Sequence, residues 1–274
     1  MGPDTSMLTD GWTIFDGLPL YYRTNALPVP TGARTIMHLH GFGISGTYLL
    51  PTAAKLADRY ATWVPDMPGF GRSIHPRRPL GIDDMADALA RFMDARGVER
   101  AVLLGNSLGC AVTLAFVEQH RDRIEAAVLV SPAGGPHNRP IWKGASQLML
   151  AGMREPLGMV PIGARDYLHY GIPQTIALFR SMIAYPVARR MAEATLPTLV
   201  VIGNRDPLVN EDRAREVSSE LPHVTTLSID GAAHAINYSH PGQLANVVAA
   251  WLEGRPIADD PAHPGRVRMI HQPA

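Results

Sequence analysis

Short apolar runs alternate with amphipathic stretches along most of this chain. Arg34-Thr35-Ile36-Met37-His38-Leu39, Ala61-Thr62-Trp63-Val64-Pro65, Ala101-Val102-Leu103-Leu104, Ala126-Ala127-Val128-Leu129-Val130, Thr198-Leu199-Val200-Val201-Ile202 and Thr225-Thr226-Leu227-Ser228-Ile229 each predict a buried strand. Between them, helices are predicted from about Tyr48 to Tyr60, over Ile82–Arg96, after Gly109, over Glu211–Leu221 and over about Pro241–Glu253. In the second of these Ile82, Met85, Leu89, Phe92 and Met93 share a face, and Gly97 follows as a C-cap. Near the start, Trp12-Thr13-Ile14-Phe15 and Leu20-Tyr21-Tyr22 flank Asp16-Gly17 and predict a hairpin. Short apolar strands alternating with helices imply a mostly parallel sheet covered on both faces, an α/β fold.

The alternation fails between Pro136 and Leu196. This stretch is rich in Met and Tyr, is broken by Gly and Pro, and contains no clear strand. Its length far exceeds an ordinary connection and its apolar content argues against disorder. We read 1–135 and 197–254 as two parts of one core, 136–196 as a helical insertion over the strand ends, and 255–274 as a tail that is peripheral or disordered.

The 274 residues are 46% apolar and 18% charged, which suits a folded globule. Formal net charge is zero and no basic block marks a nucleic-acid or anionic-membrane partner. No secretory signal and no run approaching the roughly 20 residues of a membrane span is visible. The single cysteine, Cys110, forbids an internal disulfide and fits a reducing, cytoplasmic setting. Its place on the helix after Gly109 marks it as a small buried residue.

The chemistry gathers where strands end. Gly105-Asn106-Ser107-Leu108-Gly109 lies between a strand and a helix, the setting of a nucleophile elbow. His40-Gly41-Phe42-Gly43 follows an earlier strand, Asp206 a later one and His234 the last. Ligands of open α/β sheets bind outside the carboxyl ends of strands. A serine hydroxyl needs a base, which His234 can supply, and the base needs an orienting acid. Asp206 is the preferred acid because it follows its own strand; Asp230 is its rival, and Asp206 could also merely start a turn with Pro207. His40 is expected to brace its loop, and His38, His75, His137, His169 and His240 to be surface or lining residues. His38 and His40 have no third ligand in pattern, so no zinc and no cofactor is expected.

From about Trp12 to Glu253 the chain resembles the α/β-hydrolase superfamily with a helical cap. The resemblance rests on the elbow, on Asp66-x-Pro-Gly-Phe-Gly-x-Ser73, and on the order Ser, Asp, His. It implies a mostly parallel twisted sheet flanked by helices, a catalytic triad of Ser107, Asp206 and His234, and an oxyanion hole from the N–H groups of Phe42 and Leu108. The substrate, a small molecule, would meet Gly41, Gly43 and Ala235, with Met149, Met153, Phe179 and Arg180 from the cap. Met159, Met182, Tyr167 and Tyr170 are further candidates for lining or cap core. An apolar cap could also serve as a homodimer interface.

Serine at position 107 argues against relatives that use aspartate to form an alkyl ester, the haloalkane dehalogenases and epoxide hydrolases. It favours hydrolysis of carboxylic esters. The elbow also resembles that of carbon–carbon bond hydrolases acting on ring-cleavage dienoic acids, where Arg180 would clamp a carboxylate. Those relatives often carry Trp after the catalytic His, whereas this chain has Ala235 and Ile236. A receptor that kept the hydrolase shell would bind tightly without turnover.

Overall fold

In the computed structural model the apolar runs become one nine-stranded sheet. Residues 5–15, 17–219 and 221–273 are described. The polar start Met1–Asp4, the predicted turn residue Asp16 and Glu220 of the predicted helix 211–221 lie outside them. The strands are β1 (Leu8–Phe15), β2 (Leu18–Asn25), β3 (Thr35–Leu39), β4 (Ala61–Pro65), β5 (Ala101–Asn106), β6 (Ile124–Val130), β7 (Thr198–Gly203), β8 (Val224–Ile229) and β9 (Val267–His271). Their order in the sheet is β1-β2-β4-β3-β5-β6-β7-β8-β9. The six from β3 to β8 run parallel, and β1, β2 and β9 pair antiparallel at the two margins.

The helices are α1 (Leu50–Leu56), α2 (Ile82–Ala95), α3 (Leu108–Gln119), α4 (Ile141–Arg154), α5 (Met159–Tyr170), α6 (Ile172–Ala184), α7 (Val187–Glu193), α8 (Glu211–Ser219), α9 (Ile236–Ser239) and α10 (Pro241–Leu252). Alternate residues of the central strands serve opposite faces. Met37, Leu103, Leu129 and Val200 pack with α2 and α3, whereas Ile36, Val102, Val128 and Val201 pack with α1 and α10. A strand buried on both faces carries no polar alternation, which is why these segments read as continuous apolar runs. Gly97, at φ +64° just beyond α2, takes the left-handed position that ends a helix.

Three expectations need correction. Helix α1 covers only Leu50–Leu56, because a 3-10 turn at Gly46–Leu49 precedes it and Pro51 fixes its first turn. Of the two readings for the segment after Arg255, disorder fails, since β9 forms on the free edge of β8 at the margin of the sheet. That pairing depends on an edge supplied by residues some forty positions earlier, which local composition does not reveal. His38 is neither a surface nor a lining residue: it is fully buried in β3, and neither ring nitrogen has a partner among the described residues.

His38 carries a consequence for stability. Burial lowers its pKa from 6.5 to about 3. The unfolded chain therefore binds a proton that the folded chain refuses. Stability from this group is full above pH 6.5 and is lost as pH falls toward 3. At pH 5 the loss relative to pH 7 should be about 2 kcal/mol. Urea titrations at the two pH values should show this difference in the wild type, and His38→Asn should remove most of it.

Between β6 and β7 the described residues form α4 to α7 and no strand. Among the described residues, no helix is long and apolar enough to cross a membrane. The topology switches direction at β3: the chain moves from β3 outward to β4, then returns to place β5 on the other side. The loops leaving β3 and β5 therefore diverge and open a crevice between them, the usual ligand position in such sheets.

Candidate active site

The elbow is built by close approach. Ser107 sits at φ +55°, ψ −113°, between the end of β5 and the start of α3. A Cβ on Gly105 would collide with the carbonyl of Gly109, and one on Gly109 with the carbonyl of Leu39. Only hydrogen fits at both positions, and that fixes the Gly-x-Ser-x-Gly spacing. Leu108 is the first residue of α3, so its N–H has no partner within the helix and lies at the positive end of the dipole. Cys110 is buried, and its thiol donates to the carbonyls of Gly105 (3.1 Å) and Val130 (3.3 Å).

His234 follows β8 and Asp206 follows β7, on neighbouring strands. His234 Nδ1 lies 2.8 Å from Asp206 Oδ2. A carboxylate can only accept there, so Nδ1 donates and Nε2 of the neutral ring keeps its lone pair. Asp206 Oδ1 accepts the Leu208 N–H at 2.8 Å, which fixes the carboxylate in turn. His234 Nε2 is buried and has no partner among the described residues. Burial by itself would lower the His234 pKa. The charge and hydrogen bond of Asp206, with the charge of Glu155, outweigh it and hold the imidazole above its ordinary value. Asp230, the rival acid, faces elsewhere: its Oδ1 accepts from Asn204 Nδ2 (3.0 Å) and Arg268 Nε (2.7 Å).

Asn106 ties the loops together. Its side-chain amide donates to the carbonyls of His234 and Val130, both at 3.1 Å. Its Oδ1 accepts from Tyr48 Oη at 2.6 Å, and Tyr48 Oη accepts the Gly41 N–H at 2.8 Å. Elbow, histidine loop and β3 loop thus share one buried hydrogen-bond chain. His40 braces the same loop. Its Nε2 accepts the Met67 N–H at 3.0 Å, so Nδ1 holds the proton and donates to Gly41 O at 3.0 Å. Burial keeps this ring neutral by lowering its pKa. Asp66, fully buried, accepts from Arg23 (2.5 Å), the Gly46 N–H (2.9 Å) and the Arg72 N–H (3.0 Å), and so fastens its glycine-rich loop beneath the site.

The inserted helices pack directly on the β3 loop. Phe42 meets Tyr167 of α5 and Phe179 of α6, at ring separations of 6.1 and 5.3 Å. Tyr167 Oη donates to Phe42 O at 3.3 Å, and buried Asp166 accepts the Ser45 N–H at 2.8 Å. Under these helices lies a cavity of about 590 Å³. Of the sequence-derived residues, Ser107, His234, Gly41, Phe42, Met149, Phe179 and Ala235 line it. Met159 and Tyr167 line it too, whereas Met182 and Tyr170 belong to the packed core. Gly43, at φ +69°, abuts Tyr167 rather than the cavity.

Two expected contacts fail. Met153 is 76% exposed and outside the cavity wall, and Arg180 is exposed beside Arg139 and Ile183 on an outer depression. The reason is helical phase. Ala145, Leu148, Met149 and Gly152 form the inner face of α4, and Thr175, Ile176 and Phe179 that of α6. At about 100° per residue, Met153 and Arg180 rotate off those faces. Sequence reasoning missed Asn106, Tyr48 and Glu155. The first stood inside the elbow motif, but its partners are distant in sequence. Glu155 lies in the insertion and carried no signal. Among the described residues, no group of three or more His, Cys, Asp or Glu side chains could hold a metal ion.

A family model for the alpha/beta hydrolase fold matches residues 34–163. A pimeloyl-acyl-carrier-protein methyl ester esterase of Pectobacterium atrosepticum is 25% identical over 267 residues, covering 85% of this chain and 98% of its own. Among solved structures, a membrane phospholipase A aligns at TM-score 0.77 and 21% identity, over 91% of this chain and 87% of that one. The enol-lactonase from Burkholderia xenovorans LB400 aligns at TM-score 0.73 and 20% identity, over 89% of this chain and 100% of that one. Together with the strand order and the elbow built above, these likenesses show that the chain has the α/β-hydrolase fold.

Proposed function

We propose that the protein hydrolyses carboxylic esters of small, largely apolar substrates through Ser107, His234 and Asp206. The observation that carries this reading is the pairing of His234 Nδ1 with Asp206 at 2.8 Å, with Nε2 buried and unpartnered among the described residues and with His234 and Ser107 lining the same cavity. Names of relatives such as the methyl ester esterase are consistent with it.

In this reading the substrate carbonyl lies over the elbow. Ser107 Oγ attacks the carbonyl carbon as His234 Nε2 takes the hydroxyl proton, and Asp206 stabilises the imidazolium. The oxyanion is held by the N–H groups of Leu108 and Phe42, each worth about 3 kcal/mol in the transition state. His234 then protonates the departing alkoxide and leaves an acyl-enzyme. Water, deprotonated by His234, attacks the acyl carbon; collapse releases the acid and returns the proton to Ser107. Helices α4 to α7 act as the cap and supply the apolar wall that selects the substrate.

Carbon–carbon bond hydrolysis of a dienoate is the weaker reading, because Arg180, its expected carboxylate clamp, faces outward. The test is a turnover screen of p-nitrophenyl esters, lactones and a ring-cleavage dienoate. Esters should be turned over fastest. Faster cleavage of the dienoate, or no turnover of any ester, would reject the proposal.

A further inference from the structure

Among the described residues, the cavity wall contains one carboxylate and no Arg or Lys. That carboxylate is Glu155, the residue that ends α4. Its Oε1 accepts the Ala235 N–H at 2.8 Å, immediately after the histidine. Its Oε2 is buried and has no partner among the described residues. The surrounding wall is apolar: Leu148, Met149, Ala151, Met159 and Val160 contribute no donor from their side chains. A carboxylate oxygen left without a donor in such a place is costly, and a ligand that supplies one recovers that cost. Neither ring nitrogen of His234 satisfies it, because Nδ1 is engaged by Asp206 and Nε2 is unpartnered.

We propose that Glu155 is a specificity residue that receives a hydrogen-bond donor, best an ammonium group, carried by the substrate beside the scissile ester, and that it excludes anionic substrates. The proposal rests on the ester-hydrolase reading for its reaction, but not for its recognition step. Position supports it. Glu155 is joined to the residue after His234, so the donor would sit near the reacting bond rather than at the far end of the cavity. With no Arg or Lys among the described wall residues to offset Glu155, and with the His234 base neutral while it awaits the serine proton, a ligand carboxylate would meet a like charge in an apolar setting, which disfavours binding. A purely structural role, fastening the insertion to the histidine loop through Oε1, would leave ligand charge without effect.

Ligand ranking separates these roles. n-Hexylamine, 1-hexanol and hexanoate share one chain and differ in the head group. As competitive inhibitors of p-nitrophenyl butyrate hydrolysis at neutral pH, they should rank in that order. The amine should bind at least roughly tenfold tighter than the acid, as expected from one charge-assisted hydrogen bond. Glu155→Gln keeps an acceptor for Ala235 but loses the charge, and should bring the three constants within about threefold. Hexanoate binding as tightly as hexylamine in the wild type would overturn the proposal whether or not the variant folds. So would an unchanged ranking in folded Glu155→Gln. Calorimetry of the same ligands on Ser107→Ala reads recognition without turnover. If the wild type hydrolyses no ester, the reaction reading fails and this ranking still decides the role of Glu155.

Discussion

Ser107→Ala should lose ester turnover by roughly 10⁴-fold or more, while its melting temperature stays within about 2 °C of the wild type. The loss follows from the nucleophile: without Oγ no acyl-enzyme can form, and what remains is binding plus the oxyanion donors. The small stability change follows from the packing. The elbow is held by Gly105 and Gly109 against neighbouring backbone and by the Asn106 amide, none of which needs the serine hydroxyl. The backbone strain at φ +55° persists in the alanine variant. Ser107→Gly relieves it and should be the more stable of the two inactive proteins. Steady-state kinetics with a short p-nitrophenyl ester, alongside a thermal melt, reads both effects. Retained activity in Ser107→Ala would remove the mechanism.

The second large effect concerns the acid. Asp206→Asn should lower kcat by about 10⁴-fold, because an amide cannot hold the imidazole in the tautomer that leaves Nε2 free. Asp230→Asn should change kcat by no more than about twofold, since its contacts with Arg268 and Asn204 lie outside the site, in a partly exposed pair of the kind that contributes little. The pH profile gives an independent reading. Asp206 is what raises the His234 pKa against the lowering effect of burial. In the wild type the acid limb of kcat/KM should fall above pH 6.5, where a raised imidazole sheds its proton. In Asp206→Asn the residual activity should keep its base form to lower pH, moving that limb down. An Asp230 variant that reproduced these effects would transfer the role of acid.

Much of the frame could be read from residues alone because it depends on local rules. Six strands buried on both faces are predominantly apolar, and Gly105 is demanded by the carbonyl of Gly109 only four residues on. The residues after each strand end were therefore accessible: His234 pairs with Asp206, and His234 and Ser107 both line the cavity. The insertion was less legible. Its helices carry apolar side chains on both faces, with Trp142 70% exposed and Leu168 86% exposed, so periodicity could not separate wall from surface. Met153 and Arg180 were misassigned for that reason. Asn106, Tyr48 and Glu155 act through contacts 58 to 128 residues apart for the first pair of links and 80 for the last. Strand β9 likewise depends on an edge offered by β8. Such pairings are set by the assembled sheet, and no local pattern announces them.

Reaction with a fluorophosphonate, followed by mass mapping of the labelled peptide, addresses the nucleophile most directly. The reagent bonds covalently only to a serine whose proton is drawn off by a neighbouring base. The wild type should carry one label, on Ser107, and His234→Ala should carry almost none. A label on any other serine, or undiminished labelling of Ser107 without the imidazole, would contradict the proposed Ser107–His234–Asp206 relay.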